Sequence, residues 1–257
     1  MYSRQVASSL LAAGLAASTA QARTVCTVVA DAGVGEILVR QGDCGQRVTP
    51  ASTFKIAISL MGYDSAFLKD AQSPVLPFRE GYVDWGGADW RQPTDPARWI
   101  KYSVVWFSQQ VTQSLGEARL QRYVDEFQYG NKDVSGDPGK HNGLTRSWIG
   151  SSLKISPLEQ ISFLEKVVNR QLPVTSRAFD TTSEITRVAM LPNGWDIHGK
   201  TGTGFDDASD RTHAYGWFVG WASRGPRTLV FARLVQDEKE ESGAGPRARA
   251  AFLNCTS

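Results

Sequence analysis

Two short groups of residues in this chain have types and spacing suited to covalent chemistry: Ser52-Thr53-Phe54-Lys55 and Lys200-Thr201-Gly202. In the first, a hydroxyl and an amine stand three positions apart. On a helix such positions share a face, with Cβ atoms ~5–6 Å apart, so the lysine stem can curl back to the hydroxyl. Phe54, Ile56, Ala57, Ile58, Leu60 and Met61 follow one another so densely that a helix over Thr53 to Met61 is predicted to be buried nearly all round. Burial disfavours a charged amine and lowers its pKa, which would make Lys55 a base able to take the Ser52 proton. The helix start adds unpaired backbone N–H groups, which suit charge developing on a substrate oxygen. The same four residues also read as an ordinary helix start, with Ser52 as cap and Lys55 snorkelling from the first turn.

The spacing alone is cheap. Ser151-Ser152-Leu153-Lys154 repeats it, but in a loop just before a helix and without apolar neighbours for the lysine. Lys200-Thr201-Gly202 adds weight to the first group. It ends a predicted strand from Trp195 to Lys200, where a lysine and a threonine hydroxyl can receive a carboxylate and glycine permits close backbone approach. A phosphate-binding loop overlaps it, since Gly194 to Thr201 satisfies G-x-x-x-x-G-K-[ST]. That motif needs a helix to begin at its lysine, and Gly202-Thr203-Gly204-Phe205-Asp206 is no helix start. No nucleotide is therefore expected. The three histidines, His141, His198 and His213, show no metal-ligand spacing, and no metal is expected.

The elements that must position these groups can be read from the pattern. Thr27–Asp31 and Glu36–Arg40 form a hairpin around Asp31-Ala32-Gly33, with the left-handed turn residue expected at Gly33. After a loop-rich stretch from Asp64 to Pro96, helices are predicted over Ile100–Leu115 and Ala118–Phe127. Asn131 to Leu153 reads as loop. Ser156-Pro157-Leu158-Glu159 is a capping box that starts another helix, and Ser176–Met190 is a further one. Strands over Trp195–Lys200, Ala214–Trp221 and Thr228–Val235 follow, and a helix over Ala244–Leu253 closes the chain. Short connections favour antiparallel pairing. The expected fold is α/β of the α+β type: a central antiparallel sheet of five or more strands, the first hairpin joining the last three strands, packed against helices with a largely helical middle.

Composition bounds the rest. The 257 residues, 41% hydrophobic, suffice for one domain that buries roughly 70% of its unfolded surface. With 28 basic against 26 acidic side chains the formal charge is +2, too even for a nucleic-acid binder. The acidic run Asp237 to Glu241 reads as a solvated loop. Arg4, the small and apolar run from Val6 to Ala17, and Ala20-Gln21-Ala22 have the layout of a signal peptide cut after Ala22, leaving 23–257 as the mature domain. No later apolar run reaches the length of a membrane span, so no stable membrane anchor and a periplasmic, oxidising compartment are expected. Cys26 and Cys44 fall at the outer ends of the predicted hairpin, a placement open to a disulfide or to two free thiols; Cys255 is left over. Nothing here sets the oligomeric state.

With Ser52, Lys55 and Lys200 identified, the chain resembles the class D serine β-lactamases, the oxacillinases, over its whole mature length. The resemblance rests on Pro50-Ala51-Ser52-Thr53-Phe54-Lys55, Ser103-Val104-Val105 followed by Trp106-Phe107, Tyr129-Gly130-Asn131 and Lys200-Thr201-Gly202. Ser147-Trp148-Ile149 and Tyr215-Gly216-Trp217-Phe218-Val219-Gly220 support it. Val105 points to class D, because related penicillin-binding proteins usually carry Ser-x-Asn at that point. The resemblance implies the penicillin-recognising fold and hydrolysis of a small-molecule β-lactam through an acyl-enzyme on Ser52. It implies that Lys55 takes up CO₂ or bicarbonate as a carbamate, held by the Trp148 indole N–H, and that no other cofactor is used. Ser103 would carry a proton to the β-lactam nitrogen, aided by the charge of Lys200. The backbone N–H groups of Ser52 and Thr203 would form the oxyanion hole. Thr201 and Arg247, with Arg249 as the competing choice, would receive the substrate carboxylate beside Gly202. Val105 and Ile149 would line the site near the base, while Tyr129 and Asn131 would be structural. The alternative is a penicillin receptor or transpeptidase-like protein acylated at Ser52 without efficient release.

Overall fold

The structure is a computed structural model that describes residues 22–205 and 212–254. The signal-peptide segment and Cys255 lie outside the described residues, apart from Ala22. In chain order the elements are strands β1 (Arg23–Asp31) and β2 (Glu36–Gly42), helices α1 (Lys55–Asp64), α2 (Pro96–Tyr102), α3 (Val105–Leu115), α4 (Glu117–Phe127), α5 (Gly143–Arg146), α6 (Pro157–Val168) and α7 (Ser176–Ile185), strands β3 (Arg187–Met190), β4 (Asp196–Gly204), β5 (Tyr215–Arg224) and β6 (Arg227–Gln236), and helix α8 (Ala244–Asn254). All strand pairs are antiparallel, in the order β2-β1-β6-β5-β4-β3. The first hairpin does join the last three strands, through β1 against β6.

The sheet is covered on both faces. On one side Phe218, Phe231 and Phe252 cluster under α8 with Ile197 and Val235. The opposite face packs on the helical region, where Val28, Trp217 and Leu234 meet α1 and α6 residues such as Ile58 and Leu164. Each large apolar side chain fully buried here contributes ~2 kcal/mol. Cys26 and Cys44 are bridged, with Cα atoms 5.0 Å apart, and tie the start of β1 to the segment leaving β2. The capping box of Ser156 and Glu159 forms with both of its hydrogen bonds, and Pro157 opens α6.

Four local expectations are corrected, each for a physical reason. The left-handed residue of the first hairpin is Gly35 (φ +70°), because the Asp31 carboxylate captures the Gly33 N–H at 3.0 Å and moves the turn onward. The helix expected over Ile100–Leu115 is two helices. Asp95 caps α2 by accepting from the Arg98 N–H at 2.7 Å, Ser103 then turns left-handed (φ +57°), and Val104 is extended before α3 begins. The helix expected to run on to Met190 stops at Ile185. Residues Arg187–Met190 pair with the open edge of β4 instead, so strand pairing overrides local helical preference and supplies a sixth strand. Finally, Asp237 is not solvated: it is 3% exposed, and Arg247 approaches it at 2.5 Å.

Candidate active site

A 3₁₀ turn, Ala51–Phe54, precedes α1, so Ser52 and Lys55 sit where a tight turn passes into a buried helix. Ala51 itself is left-handed (φ +49°), a conformation that costs a residue with a Cβ ~1 kcal/mol. Every α1 residue from Lys55 to Tyr63 is buried, as the apolar density requires. Lys55 is 0% exposed, and its Nζ lies 3.0 Å from Ser52 Oγ. Its pKa is held well below the ordinary lysine value, first by burial and then by the charge of Lys200.

β4 brings the second group to the first. It runs unbroken from Asp196 to Gly204, so Asp196 to Thr201 of the segment matching a phosphate-binding loop form a strand, with no helix at the lysine. Gly202 is needed for close approach: a Cβ there would stand 3.0 Å from Pro50 O and 3.2 Å from the Ser52 backbone nitrogen. The strand backbone is thus pressed against the nucleophile's own N–H group. Thr203 is tied to α8, its Oγ1 accepting from the Gly245 N–H at 3.0 Å. Lys200 is 5% exposed and donates to Thr201 O at 3.1 Å. Burial, and next the charge of Arg249, lower its pKa to about 7.

Ser52, Ser103, Val105, Trp148, Ile149, Thr201, Gly202 and Thr203 line one cavity of about 320 Å³. Ser103 enters it from the left-handed break between α2 and α3, so the residue that spoils the continuous helix is the one delivered to the cleft. Trp148 is 1% exposed and packs on Phe54, ring centroids 5.8 Å apart. Its Nε1 is buried with no hydrogen-bond partner among the described residues. A buried donor left unpaired costs about 1–3 kcal/mol.

Tyr129 and Asn131 stand behind the cleft. The buried Gln160 amide donates to Thr53 Oγ1 at 3.1 Å and to the Tyr129 hydroxyl at 3.4 Å, linking Tyr129 to the turn that carries Ser52. Asn131 donates to Ser152 O and accepts from the Lys154 N–H, at 2.8 and 2.9 Å, pinning the loop that holds the second Ser-x-x-Lys. Of the two candidate arginines, Arg247 is engaged by Asp237 and by Glu241 at 3.6 Å. Arg249 lines a cavity together with Lys200 and Thr201. Trp85 and Trp90 also line the cavity. They come from the glycine-rich stretch after Asp64, and Trp85 is 60% exposed in the folded chain. Among the described residues no group of histidine, cysteine, aspartate or glutamate side chains forms a metal site.

Comparison with known proteins agrees with this geometry. The penicillin binding protein transpeptidase domain family matches residues 25–255. Beta-lactamase OXA-9 of Klebsiella pneumoniae is 43% identical over 233 residues, covering 89% of this chain and 85% of the relative. Beta-lactamase OXA-1 of Escherichia coli is 40% identical over 193 residues, covering 75% and 68%. The crystal structure of the OXA-427 class D beta-lactamase superposes with a TM-score of 0.85 at 48% identity, covering 90% of this chain and 96% of that one. Shared sequence, shared fold and a serine beside a buried lysine, set against a Lys-Thr-Gly strand, converge on one family. The chain belongs to the class D β-lactamases, within the penicillin-recognising serine hydrolase fold.

Proposed function

We propose that this enzyme hydrolyses β-lactam antibiotics, penicillins with apolar side chains foremost, through an ester on Ser52, with Lys55 as general base. The observation that carries the reading is the 3.0 Å approach of a fully buried lysine amine to the serine hydroxyl. An amine whose charged form burial disfavours is suited to take a proton from Ser52 as its oxygen attacks the lactam carbonyl. The Ser52 backbone N–H, which Gly202 of β4 closely approaches, and the Thr203 N–H would receive the carbonyl oxygen as it gains charge. The ring C–N bond then breaks, and the leaving nitrogen takes a proton delivered through Ser103, the charge of Lys200 easing its departure. Thr201 receives the substrate carboxylate, and Arg249 is better placed than Arg247 to assist it, because Arg247 is already ion-paired. The aromatic mouth formed by Trp85 and Trp90, with Ile149 and Pro246, supports apolar acyl groups of the oxacillin type.

We propose further that Lys55 works as its carbamate, formed with CO₂. A neutral buried amine is the form that reacts with CO₂, and the unpartnered Trp148 N–H is a donor suited to holding the resulting anion. When present, that group supplies a negatively charged base in place of a neutral one. Lys55 would position it, Trp148 would orient it, and Val105 and Ile149 would shield it from bulk water. Export through the leader ending at Ala22 fits β1 beginning at Arg23, since the cut would remove no part of the sheet.

The test is turnover of benzylpenicillin by the exported chain with bicarbonate present, after bicarbonate is stripped, and after it is restored. Activity is expected to fall on stripping and to recover, and Lys55→Ala is expected to abolish turnover. Turnover indifferent to bicarbonate would overturn the carbamate. One stoichiometric burst with a persistent Ser52 adduct would favour a penicillin receptor.

A further inference from the structure

Behind Lys200 the structure holds a second cavity, of about 420 Å³, bounded by α2, β3, β4 and α8. It meets the nucleophile's cleft at Thr201, the one residue that lines both. Four basic side chains line it, Lys101, Arg187, Lys200 and Arg249, and among the described residues no acidic one does. Arg187 is partly neutralised by Asp196 at 2.8 Å. Lys101 and Arg249 have no carboxylate partner among the described residues, and Lys200 is 95% removed from solvent. The cavity's cationic character arises from chain features invisible to local pattern. Lys101 sits in the last turn of α2 because that helix ends at Ser103, and Arg187 faces the cavity because the chain becomes a strand after Ile185.

We propose that this cavity is a subsite for a second anionic group on the substrate, carried on the arm beside the ring carboxylate of a cephalosporin. The inference rests on the β-lactamase reading. In a cephalosporin the variable arm leaves the ring from the carbon next to the one bearing the carboxylate. A carboxylate seated at Thr201 therefore sets that arm at the junction of the two cavities. A monoanionic substrate uses Thr201 and Arg249 and leaves Lys101 and Arg187 facing water. A dianionic one presents its second charge to both. The low pKa of Lys200 accords with this: with no anion nearby, burial and Arg249 together disfavour its charge, and a second anion would restore it.

The test compares ceftriaxone, whose arm ends in an acidic triazine, with cefotaxime, which has the same acyl group and a neutral arm. Each is measured as a competitor of benzylpenicillin turnover, so that slow hydrolysis of either does not hide binding. For the unaltered enzyme at low ionic strength, ceftriaxone is expected to compete several-fold better than cefotaxime. Lys101→Gln should erase about threefold of that preference, and Lys101→Glu more, with benzylpenicillin turnover and cefotaxime competition unchanged. Added salt should shrink the preference in the same way. Equal competition by the two drugs, or a preference untouched by Lys101→Glu, would overturn the subsite while leaving the β-lactamase reading intact. Failure of benzylpenicillin turnover in the unaltered enzyme would instead overturn that underlying reading.

Discussion

Lys55 Nζ stands 3.0 Å from Ser52 Oγ at the start of a helix with no exposed residue before Asp64. The pair is held from both sides. Gln160 and Tyr129 fix the turn through Thr53, and Gly202 of β4 abuts the Ser52 nitrogen. A base whose charge burial disfavours and that stands within proton-transfer distance needs little reorganisation before it acts.

Trp148 has a buried N–H with no hydrogen-bond partner among the described residues, so replacing its indole nitrogen breaks no hydrogen bond to them. Trp148→Phe is expected to keep acylation near its original rate and to slow release of the acyl group about 10- to 100-fold, the worth of one hydrogen bond to an anion. Stopped-flow acylation and the lifetime of the Ser52 adduct by intact mass separate the two steps. Equal losses in both would assign Trp148 to packing alone.

Lys200 titrates at about 7 because burial and Arg249 oppose its charge. Above that pH it is neutral and no longer eases departure of the lactam nitrogen. The kcat/KM for benzylpenicillin should therefore decline on the alkaline side of neutrality, up to about tenfold per pH unit. Lys200→Arg, which keeps its charge, should remove that limb. The same shift has a consequence for folding. Between about 7 and the ordinary lysine value of 10.5 the folded chain binds fewer protons at this group than the unfolded chain does. Its contribution to stability therefore rises with pH across that window, which urea unfolding at several pH values would show.

The two arginines of α8 should respond oppositely. Arg247→Ala leaves the buried Asp237 carboxylate without its cation, and a loss of about 2–3 kcal/mol of stability is expected with KM little changed. Arg249→Ala touches no ion pair among the described residues. It should raise KM for benzylpenicillin about tenfold while the melting temperature stays put.

The Cys26–Cys44 bridge closes a loop with a sequence separation of 18, tying β1 to the segment after β2. Replacing both cysteines by serine is expected to cost about 3 kcal/mol, a melting point lower by ~6–12 °C in a chain of this size. Thermal unfolding with and without reductant gives the comparison, and turnover at low temperature should be retained.

The chemistry of the nucleophile was legible in the chain itself. Three-residue spacing lets Ser52 and Lys55 meet, and the apolar run from Phe54 to Met61 favours a buried helix; only the fold decided that Lys55 stays in the core rather than snorkelling out. The capping box of α6 and the hairpin that carries Cys26 are likewise local. What tertiary structure decided depends on partners distant in sequence. Ser103 reaches the cleft only because the α2–α3 helix breaks around buried Trp99 and Val104, and Arg187 lines a cavity only because an unpaired β4 edge recruits it from helix to strand. Arg247 and Arg249 lie two positions apart with the same chemistry, yet helical rotation turns one to Asp237 and the other to the cavity beside Lys200. Spacing along a chain fixes which side chains can meet within an element; which elements meet is set by burial and pairing energies summed over the whole molecule.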